Sequence, residues 1–107
     1  MNNALIVGMN GRVIAMCPET GTELWRTKLG DFLSASSGSN VSILNQNGLI
    51  IAGCNGHVYG LNEVTGEVIW HNELPGAGYG SVSLSIDGHS VQFIEQVVVK
   101  EVRSDNV

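Results

Sequence analysis

Ala15-Met16-Cys17-Pro18-Glu19-Thr20-Gly21-Thr22-Glu23-Leu24-Trp25 returns 45 residues later as Gly60-Leu61-Asn62-Glu63-Val64-Thr65-Gly66-Glu67-Val68-Ile69-Trp70, and the chain has no other tryptophan. The same offset relates Gly8 to Gly53, Asn10 to Asn55, Gly11 to Gly56, Val13 to Val58, Thr20 to Thr65, Gly21 to Gly66 and Leu29 to Leu74, with no insertion. A fixed period of that length marks one supersecondary unit used repeatedly, each copy burying its apolar face against the next.

The unit is built of strands. Ala4-Leu5-Ile6-Val7 and Leu49-Ile50-Ile51-Ala52 are unbroken apolar runs, as in strands covered on both faces. Each leads to an Asn-Gly pair, Asn10-Gly11 or Asn55-Gly56, which accepts the positive φ of a two-residue hairpin turn. Strands are predicted next at Arg12 to Met16 and His57 to Leu61. Thr20-Gly21 and Thr65-Gly66 then close second hairpins that lead into Thr22 to Lys28 and Glu67 to Glu73. Gly30 to Asn40 reads as a loop, followed by a strand at Val41-Ser42-Ile43-Leu44 and a turn at Asn47-Gly48. Pro75 to Gly80 and the strand Val82 to Ile86, closed by Asp87-Gly88, match them. Val91 to Ile94 and Val97 to Val102 read as further strands, and Arg103 to Val107 as a frayed tail.

Labelled a to d, the strands run b-c-d, then a-b-c-d, then a-b-c. The expectation is one partial domain over 1–107, with repeat one at about 4–40, repeat two at about 41–81 and a degenerate third at about 82–102. Fourteen glycines against two prolines suit an all-β chain of tight turns.

Charge excludes several partners. Five basic residues, Arg12, Arg26, Lys28, Lys100 and Arg103, are scattered among ten acidic ones, for a net charge of −5. Nucleic acid and anionic membrane demand clustered positive charge, so neither is expected. With 43% hydrophobic and only 14% charged residues, the surface suits a protein partner better. Ala4 to Gly8 is too short for a signal-peptide core and has no basic lead, which makes the cytoplasm the expected location unless a leader has been removed, when it would be the periplasm. Cys17 and Cys54 occupy non-equivalent positions and read as two buried small hydrophobes.

A four-stranded antiparallel unit of this length, with hairpin turns and a tryptophan at a fixed place, describes a β-propeller blade. Ala15…Cys17…Thr20-Gly21…Trp25 and Gly60…Asn62…Thr65-Gly66…Trp70 resemble the tryptophan-docking motif of quinoprotein (PQQ-like) propeller repeats, over roughly Ala4 to Ile94. Such repeats occur in quinoprotein alcohol dehydrogenases and in cofactor-free outer-membrane assembly lipoproteins. The family favours Ala at the first motif position and Asp at the third, where this chain has Gly60, Cys17 and Asn62. The resemblance implies that Trp25, Trp70, Gly21, Gly66, Ala15, Gly60, Thr20 and Thr65 dock blade on blade, each indole covering about 200 Å². On that view Trp70→Ala costs about 3–5 kcal/mol.

The family's quinone site does not transfer. It needs a catalytic Asp, a Ca²⁺ held by Glu and Asn, and often a disulfide between adjacent cysteines, whereas Asp31, Asp87 and Asp105 fall in loops or the tail. His57, His71 and His89 share no metal spacing, and His57 and His71 stand where the other copy has Arg12 and Arg26, as water-facing positions do. Gly76, Gly78 and Gly80 precede a strand rather than a helix, unlike a phosphate loop. Ser34 to Ser39 has no partner base for nucleophilic catalysis and reads as a connection.

No catalytic, metal or cofactor site is therefore expected. The leading function is a non-catalytic propeller module for protein–protein interaction or assembly. Fewer than three blades cannot close a ring, so self-association is expected, most simply as a homodimer of three blades per copy, with another propeller chain or complex subunit as the other partner class. The alternative is a propeller assembled from several chains that binds a small molecule or a quinone cofactor.

Overall fold

The computed structural model describes residues 4–30 and 40–91. These hold nine strands and no helix: β1 (Leu5–Met9), β2 (Arg12–Met16), β3 (Glu23–Lys28), β4 (Val41–Gln46), β5 (Leu49–Cys54), β6 (His57–Asn62), β7 (Val68–Asn72), β8 (Leu84–Ile86) and β9 (His89–Val91). Three antiparallel sheets result, ordered β1-β2-β3, β4-β5-β6-β7 and β8-β9. The all-β expectation and its blade pattern of b-c-d, a-b-c-d and a-b hold over these residues. The predicted strand Val97 to Val102, the frayed tail and the Ser34 to Ser39 connection lie outside the described residues.

Turn chemistry sets the registers. Asn10-Gly11, Asn47-Gly48, Asn55-Gly56 and Asp87-Gly88 all have both residues at positive φ, between 44° and 85°. Those angles give two-residue turns whose twist matches the flanking strands. Register is then fixed by adjacency: Met9 faces Arg12, Gln46 faces Leu49, Cys54 faces His57 and Ile86 faces His89.

The second hairpin of each unit is a longer turn with the same two backbone hydrogen bonds in both copies. In the first copy the Cys17 amide donates to the Thr22 carbonyl (2.8 Å) and the Gly21 amide to the Cys17 carbonyl (2.7 Å). In the second, the Asn62 amide donates to Glu67 (2.9 Å) and the Gly66 amide to Asn62 (2.8 Å). Gly21 and Gly66 sit at φ of 79° and 81°, which glycine adopts without strain.

The core lies between the first two sheets. Val13 and Leu29 pack with Val41, Ile50, Ala52, Cys54, Tyr59 and Leu61, all buried, and Ile6, Trp25 and Ile43 close over them. Two glycines allow this approach. A Cβ on Gly8 would stand 2.9 Å from the Val41 side chain, and one on Gly53 would stand 2.7 Å from Val82 in the segment leading into β8. The same strand position thus meets a valine of the following unit twice, once in β4 and once just before β8.

One expectation is corrected. The sequence predicts the apolar run Ala4 to Val7 to be covered on both faces, like Leu49 to Ala52. β5 is mostly buried, but β1 is partly exposed, with Leu5 at 50%. β5 lies between β4 and β6 in its sheet, whereas β1 is the terminal strand of its own. Smaller shifts are that β8 begins at Leu84 rather than Val82 and β9 at His89 rather than Val91.

Candidate interaction surface

The repeated phrase folds into a strand, a turn and a bulged return strand. Ala15 faces Trp25 across β2 and β3, then the register slips so that Met16 faces Glu23. Gly60 faces Trp70 across β6 and β7, then Leu61 faces Val68. The slip leaves Leu24 and Ile69 as the extra residues, 55% and 56% exposed. A bulge re-aims its neighbours, and both tryptophans stand at the same point of it.

Their surroundings then diverge. Trp25 is half-buried and reaches the second sheet, where its indole lies on Gly66: a Cβ there would come within 2.4 Å of the ring. Its Nε1–H donates to the Glu63 carbonyl (3.1 Å), and the Thr27 hydroxyl donates to the Gly66 carbonyl (2.6 Å). Trp70 lies over Gly60 of its own sheet, where a Cβ would meet the ring at 2.3 Å, and remains 41% exposed. Gly66 is buried, whereas Gly21 is exposed and a Cβ there would meet nothing within 4 Å. Ala15 and Gly60 are both buried, beneath or opposite the rings.

Thr20 and Thr65 support the turns rather than touching a ring. The Thr20 hydroxyl accepts the Thr22 amide and the Thr65 hydroxyl the Glu67 amide, each at 3.2 Å. The third motif position separates the copies. Asn62 Oδ1 accepts the amides of Val64 (2.7 Å) and Thr65 (3.0 Å), closing an Asx turn. Cys17 has no oxygen for that task, and its thiol donates instead to Glu19 Oε1 at 3.5 Å. The two cysteines are unbonded. Cys54 is buried and burial pushes its thiol above the ordinary range, while Cys17 is only partly covered, against the expectation of two buried hydrophobes.

The repeat predicts His57 and His71 at polar, water-facing strand positions. The structure brings them together: His57 Nδ1 is 2.9 Å from His71 Nε2, and the His71 ring stacks on Tyr59 with centroids 4.3 Å apart. With Gly30, Val68, Glu73 and Tyr79 they line an open cavity of about 530 Å³. The signal was present, since Tyr59 facing His71 follows from the hairpin register and places His57 diagonally across. Among the described residues no group of three or more His, Cys, Asp or Glu could hold a metal ion. Asp87 occupies a turn at φ 44°, and Asp31 and Asp105 lie outside the described residues. The Gly76, Gly78 and Gly80 loop precedes β8, as its sequence suggests. No helix of the described residues is long and apolar enough to cross a membrane.

The comparison with curated proteins gives no match. Residues 4–106 match the family model described as outer membrane protein assembly factor BamB, a model of PQQ-like repeats. Nearly the whole chain is covered, the strand order repeats as blades do, and the chain belongs to this PQQ-like β-propeller repeat family.

Proposed function

We propose that the chain is a non-catalytic propeller module that binds protein, and that it associates with further copies of itself to close its ring. One observation carries this reading. Val68, Ile69 and Trp70 are consecutive large apolar residues on one strand, β7, and all three are exposed. A bulged strand carrying such residues is a surface built to be covered. The family description supports the reading, since it names an assembly factor rather than a catalysed reaction.

Light scattering at micromolar concentration tests the association, with a mass above one chain expected and a monodisperse monomer overturning it. The small-molecule alternative has the His57, Tyr59 and His71 cavity in its favour. Titration with a quinone and Ca²⁺, followed by tryptophan fluorescence and melting temperature, separates the two readings. No change in either signal is expected, and a saturable change would favour a cofactor-binding propeller.

A further inference from the structure

We propose that copies of this chain join head to tail, with Trp70 of one copy seated on the Cys17–Gly21 turn of the next. This rests on the self-association reading and names the contact that makes it. The chain carries its own template in Trp25, which lies on Gly66 and hydrogen-bonds to the Glu63 carbonyl.

Shifted by the repeat offset, every part of that contact recurs on surfaces at the two ends of the described chain. Trp70 corresponds to Trp25 and is 41% exposed. Gly21 corresponds to Gly66, shares its backbone hydrogen bond and positive φ, and has space where Gly66 has a ring. The Pro18 carbonyl stands in for that of Glu63 as the indole acceptor. Asn72 stands in for Thr27. Its Oδ1 accepts the Leu74 amide (2.8 Å), which leaves its amide hydrogens to donate to the Gly21 carbonyl.

The strands follow the same pattern. β1, β2 and β3 correspond to β5, β6 and β7, but β5 carries β4 on its inner edge, whereas β1 ends its sheet. β8 follows a strand-free connection and begins beyond Val82, whose carbonyl accepts the buried Ser42 hydroxyl at 2.6 Å. That contact sets the segment leading into β8 against the second sheet, and among the described residues β8 pairs with β9.

Mixing separated variants of the full chain tests this. Trp70→Ala removes the inserted ring and keeps the turn. Gly21→Asn keeps the ring and tolerates the positive φ, but places a Cβ where the indole must lie. The Asn variant disturbs no contact within 4 Å of that Cβ in the chain itself, which guards against simple misfolding. By analytical ultracentrifugation the unaltered chain is expected to associate, each variant alone to sediment as one chain, and the mixture to form a two-chain species through the single intact contact. Association of either variant alone at the unaltered mass, or a mixture that stays at one chain while the unaltered protein associates, would overturn the Trp70 contact and leave the self-association reading standing. An unaltered chain that is itself monomeric would overturn both.

Discussion

At the level of single residues, two tryptophans with the same sequence neighbours differ in what surrounds them. Trp25 is half-buried, packs against the core and hydrogen-bonds to Glu63, so Trp25→Ala should cost about 3–5 kcal/mol, with an orphaned carbonyl adding to the lost packing. Trp70 is 41% exposed, so Trp70→Ala should cost only about 1–2 kcal/mol in the separated chain. Urea midpoints measured at low protein concentration check the ranking, and equal losses would contradict it. The cost expected at Trp70 from sequence thus belongs to Trp25, because a motif specifies the side chain but not whether its neighbour is present. Cys17 offers a second test. Asn62 closes its turn through Oδ1 and Cys17 cannot, so Cys17→Asn should stabilise by about 0.5–1 kcal/mol, read as a raised midpoint at unchanged slope. A lowered midpoint would mean that the half-covered thiol contributes more by packing than the amide gains.

Among the strands, legibility followed turn chemistry. The four Xaa-Gly turns and the strands beside them could be read directly, because an Asn-Gly or Asp-Gly pair between apolar segments has few other conformations. Burial was less legible: Ala4 to Val7 and Leu49 to Ala52 look alike, and only their place in the sheet order exposes the first and covers the second. The His57, Tyr59 and His71 stack was hidden for another reason. Its members are distant in sequence and meet only once hairpin register is applied. The packing between sheets leads to a prediction about glycine. At Gly8 and Gly53 an added Cβ meets Val41 at 2.9 Å and Val82 at 2.7 Å, the first in β4 and the second in the segment leading into β8. Gly8→Ala and Gly53→Ala should each destabilise by about 1–3 kcal/mol, since neither neighbour is the far end of a flexible side chain. Gly53 has the Ser42 hydroxyl 2.8 Å from the same point, so its substitution also threatens the bond to Val82. If Gly53→Ala left the urea midpoint unchanged, the segment leading into β8 would not be packed on the second sheet in solution.

For the whole molecule, stability and association should be one quantity. Exposed Leu5, Met9, Val68, Ile69 and Trp70 are wet in a separated chain, and covering them favours the folded state by mass action. The melting temperature should therefore rise with protein concentration. A tenfold increase adds on the order of 1 kcal/mol per chain, which for a domain of this size is roughly 5 °C. Calorimetry across a hundredfold range of concentration checks this, and a constant melting temperature would show that association contributes nothing to the fold. Ionic strength distinguishes the kind of contact. Copies carrying −5 each repel one another, and the proposed surfaces are an indole, a glycine turn and apolar strand residues rather than ion pairs. Added salt screens the repulsion and leaves apolar burial in place, so it should strengthen association slightly. Dissociation on raising the salt would instead place charged pairs at the interface, and Arg26 with Glu23, already bonded to each other at 2.8 Å within β3, would be poor candidates to supply them.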